Sequence, residues 1–407
     1  MASHVIDTLR ERGFIEQMTD EAELKSALDS AATCYIGFDP TASSLHAGSL
    51  VPIMALAHMQ RAGHRPIALM GGGTAMIGDP SGKTEMRKML TREDIEANAR
   101  GIKGQFARYL DFNRGAVLLN NADWLLGLNY IEFLRDVGVH FSVNRMLAAE
   151  SYKMRMETGL NFIEFNYMLL QAYDFLVLFK RENCILQMGG NDQWGNIVAG
   201  TDLIRRVTGK KAHAVTFPLL ATSSGQKMGK THKGALWLDP VRTSPYEFYQ
   251  YWINTEDPDV KRFLALFTLL PMEEVERLGA LEGSEIRIAK EVLAYEATAL
   301  LHGAEEADRA REASRSLFSG GTDLENVPGY SVDRPLLEAG VDAYVLFADA
   351  GLAKSRGESR RLIEQGGAYV NGEQVVGIDR KITLNDIKDG AVLLRAGKKK
   401  YVAVRPS

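Results

Sequence analysis

Two polar, glycine-containing segments of this sequence have residue types that can bind phosphate groups. The first runs from Gly37 to Ser49 and connects a β-favouring run to the apolar segment Leu50–Met59. The apolar segment has the length of a helix, so His46 and Gly48 would lie in its first turn. Unpaired N–H groups and partial positive charge at a helix N-terminus favour an anion. Taken alone, the segment is equally consistent with an ordinary strand–loop–helix turn.

The second segment is a glycine-rich loop between Ser223 and Gly234 that carries Lys227 and Lys230. Alone, it is more typical of a solvated turn. Opposite a phosphate site at a helix N-terminus, however, two lysines on a loop can stabilise a polyphosphate leaving group. The two segments together therefore predict one nucleotide site.

Two better-known phosphate-binding motifs are absent from the stretch that follows the second predicted strand. Gly82-Lys83-Thr84 has the ending of a P-loop, but Ile77 occupies the position of the required earlier glycine. Met76 stands where a GxGxxG fingerprint needs its third glycine. We reject both motifs.

A polar stripe lies within an otherwise apolar helical segment. Tyr167, Gln171 and Asp174 are spaced i, i+4 and i+7, so they share one face of the predicted helix. Such a stripe is usually the solvated side of a helix. Here the neighbouring residues are apolar, which favours a stripe that faces a polar ligand.

The elements that would position these residues alternate between short apolar strands and helices. Strands are predicted near residues 32–37, 65–70, 116–119 and 184–188, with helices between and after them. This alternation predicts an α/β fold with a mainly parallel sheet. Ligands bind such sheets beyond the carboxyl ends of the strands. The loops 37–49, 71–83 and 189–195 should therefore line one crevice.

The rest of the chain changes character twice. Residues 244 to about 318 have an all-helical pattern, and Gly320-Gly321 and Pro328-Gly329 suggest a linker. From Val341 to Ser407 there are 12 Lys/Arg and 8 Asp/Glu, whereas the preceding residues carry 36 and 44. A basic tail on an acidic body favours a nucleic-acid arm, although a solvated charged surface remains an alternative.

Composition narrows the class of protein. The chain has 407 residues, 45% hydrophobic and 25% charged, which is typical of a soluble globular protein. Two cysteines within apolar runs favour a reducing cytoplasm, and no signal sequence, membrane-spanning run or membrane partner is expected. The eight histidines lack ligand spacing, so no protein-bound metal is expected.

Taken together, the motifs resemble those of bacterial tyrosyl-tRNA synthetases, which are class I aminoacyl-tRNA synthetases. His46-Ala47-Gly48-Ser49 is similar to the signature HIGH, and Lys227-Met228-Gly229-Lys230-Thr231 is similar to KMSKS. Asp39-Pro40-Thr41 and Gly190-Asn191-Asp192-Gln193-Trp194-Gly195 resemble the tyrosyl rather than the tryptophanyl branch. The tail resembles an S4 RNA-binding module. Ser49 is the main departure, since the family often has a second histidine there.

The resemblance implies a Rossmann-like parallel-sheet catalytic domain, an all-helical domain and a small α+β S4-like RNA-binding domain. The expected bounds are 1–218 for the catalytic domain, 219–243 for the mobile KMSKS-like loop and connection, 244–320 for the helical domain on the anticodon side, 321–340 for a linker and 341–407 for the S4-like domain. A cytoplasmic homodimer is expected, with Phe133, Leu134, Phe141 and Met146 as candidates for the core or a subunit contact.

The resemblance also implies which residues bind each substrate. The catalytic residues would be Thr41, His46, Ser49, Lys83, Arg87, Lys227 and Lys230. Tyrosine would be bound by Tyr35, Asp79, Tyr167, Gln171, Asp174 and Gln193. ATP would be bound by Gly37, Asp39, His46, Gly48, Ser49, Gly190, Asp192, Met228 and Lys230.

The implied reaction forms tyrosyl-adenylate and pyrophosphate from ATP and L-tyrosine, then transfers the tyrosyl group to the 3′ end of its tRNA. The attacking carboxylate is already ionised at neutral pH, so no general base is needed. ATP would arrive with Mg²⁺ held mainly by phosphate oxygens and water. The alternatives are a tryptophanyl enzyme of the same class and a catalytically silent RNA-binding protein.

Lys230→Ala tests the predicted role of the second segment. If Lys230 binds only the departing pyrophosphate, adenylate formation should slow by roughly 10²–10³, the scale for losing one transition-state charge partner. Tyrosine affinity should hardly change. Measuring the rate and the tyrosine affinity separately checks this, and equal weakening of both would place Lys230 in the amino-acid pocket instead.

Overall fold

The computed structural model describes residues 3–81, 90–149, 152–153, 156, 159–225, 228–231, 234–318, 327, 329–388, 390–397 and 400–407, with the side chains of 230, 231 and 316–318 excepted. These residues belong to two compact units. Unit 1 comprises residues 1–243 and 255–296, and unit 2 comprises residues 244–254 and 297–407.

Unit 1 is built on a six-stranded sheet. Its strands are β1 (Gln17–Met18), β2 (Thr33–Phe38), β3 (Arg65–Met70), β4 (Val117–Asn120), β5 (Cys184–Gly190) and β6 (His213–Phe217). The spatial order is β1-β6-β5-β2-β3-β4, and every pairing is parallel except that of β1 with β6. The predicted parallel α/β sheet is confirmed, and β1 and β6 are strands that the sequence did not reveal.

The helices of unit 1 lie before, between and after these strands in the chain. They are α1 (Val5–Glu11), α2 (Glu21–Ala27), α3 (Leu50–Arg61), α4 (Arg92–Phe106), α5 (Ala122–Leu125), α6 (Tyr130–Asp136), α7 (Val143–Leu147), α8 (Phe162–Phe165), α9 (Tyr167–Glu182), α10 (Trp194–Thr208), α12 (Val260–Phe267), α13 (Met272–Gly279) and the first part of α14 (Ile286–His302). A capping box at Thr91 starts α4, and left-handed residues Asn183 and Gly209 end α9 and α10.

Strand β2 is buried on both faces, which is why its sequence is almost wholly apolar. Side chains alternate across a strand, so Tyr35 and Phe38 point to opposite faces. Tyr35 packs on Phe175 of α9 with ring centroids 5.3 Å apart. Phe38 packs on Phe106 of α4 at 4.8 Å. The central strand thus joins two helical layers.

One stretch of unit 1, Phe162–Glu182, is long and apolar enough to span a membrane by length and composition. The sequence expectation that no run reaches that length is therefore wrong. Within unit 1 this stretch packs on α10 and β5, and Phe175, Leu176 and Leu178 are buried in the core. Its apolar character is that of a core helix in a folded domain.

Unit 2 contains α11 (Pro245–Ile253), the end of α14, α15 (Ala304–Phe318), α16 (Arg334–Ala339), α17 (Ala343–Asp349) and α18 (Arg356–Glu364). Its larger sheet has the order β12 (Glu373–Gln374), β11 (Ala368–Val370), β14 (Val392–Ala396), β15 (Lys400–Pro406) and β9 (Gly329–Val332), and β10 (Val341–Asp342) pairs with β13 (Lys381–Ile382). The α+β character expected of the C-terminal domain is confirmed.

The expectation that residues 321–340 form a linker is wrong in part. Residues 329–332 form β9, which pairs in parallel with β15, and residues 334–339 form α16, whose Leu337 is fully buried. Val327 joins a small apolar cluster with Ala391 and Ala403. The C-terminal α+β module therefore begins before residue 329.

Candidate active site

A cavity of about 960 Å³ opens in unit 1 beyond the carboxyl ends of β2 and β5. The loops after β2, β3 and β5 all contribute to its wall, together with one face of α9. Fifteen predicted site residues line it: Tyr35, Gly37, Asp39, Thr41, His46, Gly48, Ser49, Asp79, Tyr167, Gln171, Asp174, Gly190, Asp192, Gln193 and Met228. The crevice expected from the strand pattern therefore exists.

Four predicted residues have no described side chain. Lys83, Arg87 and Lys227 lie outside the described residues. Lys230 is described only through its backbone, which pairs as strand β7 (Lys230–Thr231) with β8 (Gly234–Ala235).

One side of the cavity is organised by Asp39. Its Oδ1 accepts a hydrogen bond from the Thr74 hydroxyl at 2.8 Å, and its Oδ2 accepts one from the Tyr167 hydroxyl at 3.0 Å. Thr74 also accepts a bond from Asn121 Nδ2 at 3.0 Å. Two oriented donors fix the carboxylate against the wall, where it can meet a cation or a hydroxyl.

Asp174 lies at the floor of the cavity and is 2% exposed. Trp124 Nε1 donates to its Oδ1 at 2.7 Å, and Asn121 Nδ2 donates to its Oδ2 at 2.9 Å. Burial raises the pKa of Asp174 to about 7, and these two hydrogen bonds oppose the rise. Beside it, the buried hydroxyl of Tyr35 has no hydrogen-bond partner among the described residues. The floor thus offers an oriented carboxylate and a hydroxyl to a polar ligand.

A second polar cluster surrounds Asp79. Ser81 N donates to Asp79 Oδ1 at 2.9 Å, and Gln193 Nε2 donates to Oδ2 at 2.6 Å. Asn196 Nδ2 lies 3.2 Å from both Gln193 Oε1 and Gln171 Oε1, which links α10 to the polar stripe of α9. Burial raises the pKa of Asp79 to about 6, and Asp39 adds to the rise. A cationic ligand would favour the ionised carboxylate.

The first phosphate segment forms a 3₁₀ turn, Ala47–Ser49, at the start of α3. His46 caps this turn, because Gly48 N donates to His46 Nδ1 at 3.0 Å. With Nδ1 acting as an acceptor, a neutral His46 carries its proton on Nε2 and can donate it to a ligand. Ser49 lines the cavity beside it.

The two phosphate segments touch each other. Ala47 N donates to Leu236 O at 2.8 Å, and Leu236 N donates to Gly229 O at 2.7 Å. Gly229 has φ +76°, and a Cβ there would lie 3.0 Å from Ala47 Cβ and 3.1 Å from Gly48 N. Glycine is therefore required at 229 both by conformation and by close approach.

Several residues that shape the cavity were not identified from the sequence. Thr74, Asn121, Trp124 and Asn196 hold the predicted carboxylates and amides in place. Gln187 also lines the cavity, and its buried Oε1 has no partner among the described residues. A buried amide or indole after a strand has no pattern of its own, so only its partners reveal it. Among the described residues no group of three or more metal-ligating side chains occurs.

Comparison with known proteins gives consistent matches over the whole chain. Residues 28–319 match the family model "tRNA synthetases class I (W and Y)", and residues 323–404 match "Tyrosine--tRNA ligase SYY-like C-terminal domain". The chain is 60% identical to the tyrosine--tRNA ligase of Desulfatibacillum aliphaticivorans and 58% identical to that of Caldanaerobacter subterraneus, with 98% of each chain covered in both cases. Among solved structures, it is similar to a C-terminally truncated mitochondrial tyrosyl-tRNA synthetase of Aspergillus nidulans, with a TM-score of 0.71, 32% identity, and 78% of this chain and 95% of that chain covered.

The raised pKa of Asp79 predicts a pH-dependent cost to folding. Its value of about 6 exceeds the ordinary 3.8, so the folded state binds more protons than the unfolded state between these values. Stability contributed by the protonated form is therefore lost as the pH rises through about 6. Asp79→Asn removes this loss, so the stability of the variant relative to the parent should rise by about 2 kcal/mol between pH 4 and pH 7.5.

Denaturant unfolding of both proteins at the two pH values measures this difference. Any pH-independent cost of disturbing the bonds from Ser81 and Gln193 cancels in the comparison. A difference that does not change with pH would show that Asp79 is not held with a raised pKa.

Proposed function

Because the chain belongs to the tyrosine–tRNA ligase family of class I tRNA synthetases, we propose that the cavity of unit 1 is where its tyrosine and ATP react. The chain activates L-tyrosine with ATP to tyrosyl-adenylate and pyrophosphate, and then transfers the tyrosyl group to tRNA. The observation that best supports the cavity as the site is its composition. It combines a histidine-capped helix start with the carboxylates of Asp39 and Asp79, on loops that follow parallel strands, and of Asp174 on α9.

Tyrosine would lie with its phenolic hydroxyl on the cavity floor. Asp174 can accept a hydrogen bond from that hydroxyl, and the Tyr35 hydroxyl, which lacks a partner among the described residues, can bond it as well. The ammonium group would be held by Asp79, Tyr167 and Gln171, which line the cavity around the polar cluster. The positive charge of the ammonium offsets the cost of ionising the buried Asp79 carboxylate.

Catalysis of the first step would come from positioning and charge stabilisation. The tyrosine carboxylate attacks the α-phosphorus, the bond from that phosphorus to the bridging oxygen breaks, and pyrophosphate leaves with the electron pair. Asp39 and Gln193 would orient the nucleotide and the attacking carboxylate. No proton has to be removed from the nucleophile, so the site needs no general base.

The charge that develops on the phosphates would be met from two sides. Thr41 and His46 would face the γ-phosphate, with the neutral His46 carrying its proton on Nε2 because Nδ1 accepts the bond that caps the turn. Gly37, Gly48, Ser49, Gly190, Asp192 and Met228 would form the remaining nucleotide wall. Lys83, Arg87, Lys227 and Lys230 would gather the pyrophosphate as it departs. ATP would enter as its Mg²⁺ complex, with the ion bound mainly by phosphate oxygens and water.

The other expectations are proposals of the same kind. Residues 1–218 would carry catalysis, the loop in 219–243 would close over the phosphates, and residues 244–320 would form a helical domain on the anticodon side. The C-terminal module would bind tRNA, because α18 exposes Arg356, Arg360 and Arg361, and Arg360 stacks 4.2 Å over Tyr344. We also propose a cytoplasmic homodimer.

A tryptophanyl enzyme is the alternative within the class, since the first family model covers both amino acids. Pyrophosphate exchange into ATP, run separately with tyrosine and tryptophan, distinguishes the two. We expect exchange with tyrosine alone, and exchange with tryptophan alone would overturn the assignment.

Asp174→Asn tests how tyrosine is distinguished from phenylalanine. The variant keeps the shape of the side chain but loses the charge-assisted bond to the phenolic hydroxyl. The ratio of kcat/KM for tyrosine to that for phenylalanine should fall by a factor equivalent to roughly 1.5–3 kcal/mol, the scale of a hydrogen bond to a charged group. The assay belongs at pH 8, above the raised pKa of about 7.

The substitution also disturbs the bonds from Trp124 and Asn121, which lowers activity with either substrate. The ratio removes this shared effect. If both values of kcat/KM fall by the same factor, Asp174 supports the fold and does not read the substrate.

Deleting residues 327–407 tests the RNA role of the C-terminal module. The cut removes β9 together with its partner β15, so neither of these two strands is left without the other. Tyrosine-dependent exchange should stay near the parent rate, while aminoacylation of tRNA should fall by about 10²-fold or more, because the basic surface is gone. Circular dichroism should first show that the truncated chain is folded. Full aminoacylation by a folded truncated chain would refute the role.

A further inference from the structure

Helix α4 holds the loop between Asp39 and His46 through side chains that the reaction itself does not use. Asn98 Nδ2 donates to Pro40 O at 3.0 Å. Gln105 Nε2 donates to Ser44 Oγ at 3.1 Å, and Gln105 Oε1 accepts from Leu45 N at 2.9 Å. The helix therefore grips the loop at both of its ends.

Between these two grips the helix touches the loop backbone directly. Asn98, Gly101 and Gln105 are spaced i, i+3 and i+7, so they lie on one face of α4. A Cβ on Gly101 would lie 2.2 Å from the carbonyl oxygen of Ser43 and 3.1 Å from its carbonyl carbon. No real Cβ tolerates that distance to backbone, so any side chain at 101 must displace the loop or the helix.

The hydrogen bonds from Gln105 to the Ser44–Leu45 end of the loop are shielded from water. Gln105 is 8% exposed and Ser44 is 4% exposed. Ser44 Oγ also accepts from Asp239 N at 3.1 Å, and Leu238 N donates to Leu45 O at 2.9 Å. The loop is thus held between α4 and the segment 236–239, while Thr41 remains exposed on the cavity side.

We propose that Asn98, Gly101 and Gln105 form a positioning face, which sets where Thr41 and His46 stand relative to the phosphates of ATP. None of the three residues needs to touch a substrate for this. The inference rests on the roles proposed above for Thr41 and His46. It predicts that moving the loop away from α4 slows the chemical step while the tyrosine pocket stays intact.

Gly101→Ala is the direct test, and Gly104→Ala is its matched control. Both add one methyl group to the same helix and gain the same helix propensity. A Cβ at Gly104 would meet nothing within 4 Å, whereas one at Gly101 collides with Ser43. The single-turnover rate of adenylate formation at saturating ATP should fall by about 10-fold or more in Gly101→Ala only, since small misplacements of catalytic groups carry costs of that size.

The tyrosine dissociation constant, measured by equilibrium binding, separates positioning from general damage. It should stay within about twofold of the parent in both variants, because the tyrosine pocket does not include the loop. Equal adenylation rates in Gly101→Ala and Gly104→Ala would overturn the inference. A matching loss of tyrosine affinity in Gly101→Ala would overturn it too, since the damage would then not be confined to the phosphate side.

Asn98→Ala keeps the inference testable if Gly101→Ala does not fold. This variant removes only the bond to Pro40 O, at a half-buried position on the helix. Its adenylation rate should fall by about threefold to tenfold with unchanged tyrosine affinity, and an unchanged rate would contradict the inference.

Combining Gly101→Ala with Thr41→Ala tests whether the face acts through Thr41. If it does, Gly101→Ala should slow the Thr41→Ala enzyme much less than it slows the parent, because coupled residues are not additive. Full additivity would contradict the inference. If Thr41→Ala alone leaves the adenylation rate unchanged, the proposed role of Thr41 fails. If instead Gly101→Ala leaves that rate unchanged, the positioning face fails.

Discussion

The parallel pairing of β2 with β3 and β5 is the constraint on which the rest of unit 1 depends. Parallel neighbours place their carboxyl ends at the same edge of the sheet, so the loops that follow them must meet there. Asp39 and Tyr167 are 128 positions apart in the chain, yet the Tyr167 hydroxyl lies 3.0 Å from Asp39 Oδ2. Asp79 and Gln193 are 114 positions apart, and Gln193 Nε2 lies 2.6 Å from Asp79 Oδ2. The sheet therefore assembles the cavity before any ligand is involved.

The polar groups of the cavity lower the stability of the folded protein. Asp79 and Asp174 are buried where their ionised forms are disfavoured, and their neighbours donate hydrogen bonds that recover only part of that cost. A carboxylate in this state gains more from a ligand donor or cation than a fully solvated one would. The same arrangement that weakens the empty protein therefore favours binding of a ligand that brings a cation or a hydrogen-bond donor to these carboxylates.

Sequence patterns reveal those parts of this protein that have a local cause. Strands β2, β3 and β5 are short, mainly apolar runs, and the three residues Tyr167, Gln171 and Asp174 share a helix face because of their spacing alone. In contrast, β1 has two residues, Gln17 and Met18, and exists only because β6 lies beside it. Strand β9 likewise depends on pairing with β15, more than 70 residues later.

The residues that support the cavity could not be identified from the sequence, because their roles also depend on partners far away in the chain. Asn121 and Trp124 are ordinary in the sequence, and they matter because both donate to Asp174 some 50 positions away. Asn196 bridges the amide of Gln171 on α9 and that of Gln193, which lies just before α10. Periodicity and motifs report what a residue does within its own element, whereas these roles arise between elements.

The contact between Gly229 and Ala47 has a consequence for how the two signature segments can vary. Because a Cβ at position 229 would lie only 3.0 Å from Ala47 Cβ, the size of the residue at position 47 limits the residue at position 229, and the reverse. This chain has alanine where HIGH has isoleucine and glycine where KMSKS has serine. The two departures are sterically compatible with each other, and a larger residue at either position alone would push the lysine-bearing segment off the helix start.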